Sequence, residues 1–173
     1  LGMAAGTVRL LGLDPGLQHT GWGVLECAGN HLRHLGDGVI STDTALALAE
    51  RLATLHRALL GLIEAWRPDE AAVEHTYVNK NPAAALKLGQ ARGVVLLAPA
   101  LAGIPVAEYG AMEVKRAVVG TGHAEKVQVE AMVRMLLPGS AIRRADAADA
   151  LAVAICHAHH RQSRIALARA YSP

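Results

Sequence analysis

The chain has no phenylalanine, and aromatic residues make up only 3% of its 173 positions. A core of this size must therefore be built mainly from Leu, Val, Ile, Met and Ala. Cysteine is as scarce. Cys27 and Cys156 fit neither C-x-x-C nor zinc-ligand spacing, which excludes a disulfide-stapled scaffold and suggests buried, reduced thiols. The longest apolar run, Val94 to Ala102, is interrupted by Pro99 and is too short to span a bilayer. No basic segment followed by an apolar run marks a signal peptide. A cytoplasmic protein without a membrane partner is the expectation. Charge is sparse too, at 18% of residues, whereas hydrophobic residues reach 52% and mean hydropathy is +0.25, which excludes general disorder. The net charge of +2 argues, as a total, against nucleic acid.

The distribution of charge says otherwise. Residues 1–74 carry 5 Lys/Arg against 9 Asp/Glu, residues 75–145 carry 9 against 4, and residues 146–173 carry 3 against 2. The near-neutral sum hides an acidic first half and a basic middle. No repeat, low-complexity tract or linker interrupts the chain, so one domain over residues 1–173 is expected. Residues 1–7, in which Leu1-Gly2 precede Met3, are expected to be disordered or extraneous, and residues from about 160 to 173 to form a tail.

Val8 to Leu13 reads as a strand stopped by the turn Asp14-Pro15-Gly16. Gly21–Glu26 and Leu32–Ile40, separated by Gly29-Asn30, complete an antiparallel meander. Leu52, Leu55, Leu59, Leu62 and Trp66 recur at 3, 4, 3, 4 spacing, one face of an amphipathic helix. Ala71 to Val73 is a short strand ending at Glu74. Asn81-Pro82 has the form of an N-cap and first helical residue, opening a helix toward Leu97 that Pro99 stops or kinks. A strand over Ile104–Ala107, helices over Glu113–Val119 and around Val129–Leu136, and an Ala-rich helix from Asp146 to Ala158, extending toward Ala170, follow. This order predicts an α/β domain with a mixed five-stranded sheet and helices on both faces.

Four acids stand apart from the polar helix faces. Asp14 and Glu74 each end an apolar strand, where ligand sites gather in open α/β sheets. Asp146 and Asp149 share one face at the start of a helix. Each has a plain structural reading as turn, loop or cap. Together they have the chemistry of a hard-cation site, because Mg²⁺ and Mn²⁺ take oxygen ligands and bind carboxylates with substrate phosphates. Two such ions, about 3.5–4 Å apart, can stabilise the attacking and leaving oxygens of a phosphodiester displacement.

These residues also sit inside a longer pattern. Leu11-Gly12-Leu13-Asp14-Pro15-Gly16, Ala72-Val73-Glu74, Asn79-Lys80-Asn81, Ala85 through Gly93, Val114-Lys115, Ala124-Glu125-Lys126 and Asp146-Ala147-Ala148-Asp149 occur in the order found in RuvC-type Holliday junction resolvases. The chain resembles that family from about Val8 to His159. The resemblance implies an RNase H-like fold and a homodimeric endonuclease that resolves four-way junctions by paired symmetric nicks, in recombination and repair. It implies Asp14, Glu74, Asp146 and Asp149 as catalytic ligands of two Mg²⁺ or Mn²⁺ ions, with Lys115 and Lys126 near the scissile phosphate. It further implies junction contacts from Tyr77, Asn79, Lys80, Asn81, Lys87, Arg92 and Arg116, and a branch-migration helicase as a partner. The chain departs from the family pattern after Glu74, where His75-Thr76-Tyr77 replaces Gln-Val-Phe; Tyr77 can still stack on a base.

Other readings stand beside this one. The opening strand-Asp-Gly turn also occurs in sugar-kinase and actin-like ATPases, although those pair two such domains. A non-catalytic junction-binding module is the other rival, and the four filled acidic positions argue against it. Ala85, Gly89 and Gly93 form a small-residue stripe that suits either a dimer helix or packing on the chain's own sheet. His157, His159 and His160 offer a weak zinc pattern without further ligands.

Overall fold

The computed structural model describes residues 6–75 and 81–171. Three antiparallel strands come first: β1 (Val8–Asp14), β2 (His19–Ala28) and β3 (His31–Ser41). After α1 (Leu48–Trp66), β4 (Glu70–His75) pairs in parallel with β1. Helix α2 (Pro82–Leu101) leads to β5 (Val106–Gly110), which is parallel to β4. The sheet order is β3-β2-β1-β4-β5, and α3 (Ala111–Val119), α4 (Lys126–Leu136) and α5 (Ala145–Ala170) complete the chain.

Two apolar layers sandwich the sheet. On one face Leu10, Leu25 and Ala72 pack against α3, α4 and α5; on the other Leu11, Leu13, Val24 and Val73 pack against α1 and α2. Alternate residues of one strand thus serve opposite cores, as the strand period requires. In place of the absent Phe, fully buried Leu residues supply most of the volume. Each contributes on the order of 1.5–3 kcal/mol. Trp22 and Trp66 meet at a 6.2 Å ring separation at the edge of the second layer.

Two expectations need correction. The last strand starts at Val106 rather than Ile104, because Pro105 has no N–H for the ladder and its carbonyl instead accepts from Ala71 N at 2.9 Å. Pro99 does not stop α2; it lies in the final turn, and the helix reaches Leu101 rather than Leu97. Residues 160–170 continue α5 as helix, in line with the expected extension toward Ala170. A related point concerns α2, which is long and apolar enough by length and composition to cross a membrane, although no uninterrupted apolar run of that length exists. Its Ala91, Val95 and Ala98 are buried against the second layer.

Helix α5 lies closest to the sheet, and glycines let it. A Cβ on Gly12 would lie 2.0 Å from Ala150 O, and one on Gly21 would lie 2.0 Å from Asp146 O. Any side chain at these positions would collide with helix backbone, so β1 and β2 form a glycine seat for the first turns of α5. The helix is apolar around most of its circumference, from Ala147 through Ala158, as a helix enclosed on several sides must be.

Candidate active site

The parallel pairing of β1 and β4 sets Leu13 opposite Val73, so Asp14 and Glu74 follow as neighbours at the same carboxyl end of the sheet. The glycine seat brings the start of α5, with Asp146 and Asp149 one turn apart, over this end. The side chains of Asp14 and Glu74 interact, which favours the proton on Asp14 over Glu74. Burial, then the adjacent Glu74 charge, push Asp14 up to about 8, and the charges of Asp149 and Asp146 add to this. Glu74 is also raised, chiefly by burial; Lys126 and Lys115 oppose the rise. Four carboxylates gathered in this way repel one another and cannot all ionise cheaply.

Three cations border the cluster. Lys126, at the first position of α4, places Nζ 2.8 Å from Asp149 Oδ2. Lys115 of α3 lines the same cavity of about 210 Å³, together with Glu74, Lys126 and Asp149. Arg144, at the N-cap of α5, puts Nη2 3.8 Å from Asp146 Oδ2. No spacing rule points to Arg144 in the sequence; the only signal is the Arg143-Arg144 pair directly before Asp146.

The donor set fits a hard divalent cation: four carboxylates, without sulfur or imidazole among them. Among the described residues no three acidic, His or Cys side chains already converge on one point at ligand distance. Asp149 is held by Lys126 instead. The histidines are engaged elsewhere. His157 Nδ1 bonds Tyr109 Oη at 2.7 Å and its Nε2 bonds Glu70 Oε2 at 2.6 Å; His159 Nδ1 bonds Ala117 O, and His160 pairs with Glu113. The zinc reading therefore has no support among the described residues.

A model of the family described as "Crossover junction endodeoxyribonuclease RuvC" matches residues 10–157. The chain belongs to the RuvC family. A RuvC of Granulibacter bethesdensis is 65% identical over 166 residues, covering 96% of this chain and 93% of that protein. A RuvC of Acidiphilium cryptum is 70% identical over 152 residues, covering 88% and 91%. Among solved structures, Thermus thermophilus RuvC in complex with a Holliday junction substrate superposes with a TM-score of 0.84 at 37% identity, covering 91% of this chain and 96% of that one. The yeast mitochondrial Holliday junction resolvase Ydc2, at 15% identity and a TM-score of 0.69, shares the fold. The RuvC fold is the RNase H-like architecture that the resemblance implied, and its mixed five-stranded sheet agrees with the element order; the family is one of metal-dependent nucleases.

The basic residues expected at DNA divide into groups. Lys115 and Lys126 stand at the acidic cluster, and Arg116 is exposed on α3 beside Lys115. Asn81 caps α2, accepting from Ala83 N and Ala84 N, and Lys87 is exposed one turn further on. Arg92 pairs with Glu108 on β5, which stands opposite Val73 in the β4–β5 ladder. Tyr77, Asn79 and Lys80 lie outside the described residues.

Proposed function

We propose that the chain resolves four-way DNA junctions by paired symmetric phosphodiester hydrolysis, with Asp14, Glu74, Asp146 and Asp149 holding two divalent ions, Mg²⁺ or Mn²⁺. The observation that carries this reading is the meeting of Asp14 and Glu74 on adjacent parallel strand ends beneath Asp146 and Asp149. The ions, when bound, supply positive charge for the attacking and leaving oxygens. The chain's own residues do the rest. The carboxylates fix the position of the charge, and their mutual repulsion is relieved as the site loads. Lys115 and Lys126 bind the non-bridging oxygens of the phosphate and favour the extra negative charge that develops on them.

Symmetric cutting needs two sites related by a twofold axis, which a homodimer supplies. Helix α2 supports this arrangement. Leu86, Leu97 and Leu101 are exposed on it, and neither Gly89 nor Gly93 would have a neighbour within 4 Å of an added Cβ. The small-residue stripe therefore faces outward, not onto the chain's own sheet. Junction contacts by Tyr77, Asn79, Lys80, Asn81, Lys87, Arg92 and Arg116, and delivery by a branch-migration helicase, complete the reading.

The test offers the protein a synthetic four-way junction and a matched linear duplex, each with Mg²⁺, with Mn²⁺ and with chelator. Paired nicks at symmetric positions in the junction alone, and only with metal, are expected. Equal cutting of the duplex would mean a general nuclease, and binding without cutting a non-catalytic module.

A further inference from the structure

The carboxylate cluster has two flanks. Lys115 and Lys126 border it on the α3–α4 side, next to Glu74. The other flank is formed by β2 and β3. Asp14 stands opposite Gly21 of β2, and the main chain of Asp146 rests on Gly21. His19 begins β2 two residues earlier, about 7 Å further toward the same edge of the sheet and, by the strand period, on the same face. His19 pairs with Ser41 across the β2–β3 ladder, and their side chains meet, with Nδ1 3.0 Å from Ser41 Oγ. Both residues are exposed. Among the described residues the other ring nitrogen, Nε2, has no partner. Asp43, the acid next to Ser41 along the chain, is engaged by Ala45 N at 2.9 Å instead.

The backbone under this exposed pair is braced from both sides. Thr20 Oγ1 donates to Gly16 O at 2.6 Å and accepts from Gly16 N at 3.3 Å. A Cβ on Gly16 would lie 2.2 Å from His19 O, so the turn from Asp14 to His19 closes on itself. Thr42 N donates to Gln18 O at 3.1 Å, and Thr42 Oγ1 donates to Leu17 O while accepting from Arg51 Nε. A ring held in one place beside a phosphodiester site, with an unpartnered nitrogen, suits an acceptor that the substrate brings. A strand whose scissile phosphate lies on the carboxylates carries its next phosphate one nucleotide along, a step comparable with that from Gly21 to His19. A phosphate oxygen only accepts, so it selects the tautomer in which Ser41 Oγ donates to Nδ1 and Nε2 carries the proton. The resulting hydrogen bond to a charged oxygen is of the stronger kind. We propose that His19, oriented by Ser41, holds the phosphate adjacent to the scissile one. The cleaved strand is then gripped on both flanks of the cluster, by the two lysines on one and by His19 on the other. The proposal rests on the junction-cleavage reading and adds to it the path of the strand across the site.

The experiment removes the side chain and the phosphate charge in turn. Junctions carry a single methylphosphonate, in which a methyl group replaces one charged oxygen, at the first or second phosphate on the 5′ or the 3′ side of the scissile one. Single-turnover cleavage is measured for wild type, His19→Ala, His19→Gln and Ser41→Ala. His19→Ala is expected to cut the unmodified junction about 5- to 20-fold more slowly. One placement next to the scissile phosphate is expected to slow wild type by a similar factor and His19→Ala by less than about two-fold, whereas the other placements slow both proteins alike. His19→Gln keeps an N–H donor and is expected to recover part of the rate and of the sensitivity to that placement. Ser41→Ala is expected to keep a smaller sensitivity to the same placement, as a positioning residue should. Each sensitivity is a ratio within one protein, so a loss of folded protein cannot imitate it.

A His19→Ala variant that cuts the unmodified junction at the wild-type rate would overturn the proposal. So would methylphosphonate penalties that match those of wild type at every placement. If wild-type protein leaves the unmodified junction intact, the resolvase reading itself fails, and the His19 contact with it; cleavage of that junction with unchanged penalties in His19→Ala sinks the contact alone.

Discussion

Lys126 Nζ sits 2.8 Å from Asp149 Oδ2, so the basic end of α4 is tied to the acidic start of α5. The ammonium occupies a carboxylate oxygen that a divalent ion would otherwise take. It also offsets the negative charge of the cluster, and Asp149 in turn raises the Lys126 ammonium above its ordinary value. Lys126→Gln is therefore expected to bind Mn²⁺ more tightly, by several-fold in calorimetric titration, yet to cut junctions far more slowly. Because Lys126 is mostly exposed, the metal-free variant is expected to lose no more than about 0.5–1 kcal/mol of stability. Unchanged metal affinity would mean that the ion pair does not compete.

The buried, raised carboxyl of Asp14 makes the metal-free protein sensitive to alkali. Its folded value, about 8, lies above the ordinary 3.8. The folded state therefore holds a proton that the unfolded chain releases, and stability falls as pH rises through that window. Asp14→Asn is expected to flatten this fall between pH 5 and 8 and to raise the melting temperature at pH 8, by about 2–4 °C for each kcal/mol of repulsion removed. The same variant is expected to bind junctions and not cut them. A melting temperature at pH 8 equal to wild type in chelator would show that the cluster carries no such cost.

His157 is the keystone of a second network, accepting or donating at Tyr109 Oη and Glu70 Oε2 while Arg161 Nε donates to Glu70 Oε1 at 2.9 Å. His157→Ala would strand a buried phenol and weaken the hold on Glu70. A loss of about 2–4 kcal/mol is expected in urea denaturation. A loss under 1 kcal/mol would mean that water takes over these bonds.

The outward stripe on α2 can be tested without touching the site. Gly89→Ala is expected to stabilise the helix by about 0.5–1 kcal/mol, since nothing lies within 4 Å of the new Cβ. Gly89→Leu combined with Gly93→Leu fits the single chain equally well but fills the space a second copy would need. Sedimentation is expected to show dimers for wild type and monomers for the double variant. A double variant that remains dimeric would place the interface elsewhere.

Much of this site is legible in the sequence for local reasons. A strand's apolar run ends where its acid leaves the core, so Asp14 and Glu74 announce themselves, and a three-residue spacing puts Asp146 and Asp149 on one face of a helix. Parallel pairing of β1 with β4 then brings the two strand ends together, a long-range fact that follows once the element order is known. Less visible is what depends on contact between distant elements. The Glu70–His157 bond joins residues far apart in sequence, and nothing near His157 distinguishes it from the neighbouring His159 and His160. Gly12 and Gly21 look like ordinary strand glycines until α5 is laid across them. Arg92 looks like a free DNA-binding cation until Glu108 is seen beside it. The last strand was displaced by a single missing N–H at Pro105.

Helix α5 is pinned at both ends of its buried stretch, to the carboxylate cluster through Asp149 and to β4 through His157. The two pins are eight positions apart, about 12 Å of helix. The helix is thus a gauge bar whose angular setting is as fixed as its length. Inserting one residue between Ala150 and Cys156 would turn one end by about 100° relative to the other. Either the acids would swing away from Asp14 or the histidine away from Glu70. Gln162, which donates to Gly29 O in the β2–β3 turn, is the last of the described residues to tie its side chain to the sheet, so length variation among natural relatives is expected beyond it and in the turns, while the span from Asp146 to His157 is expected to admit substitutions but no change in residue count.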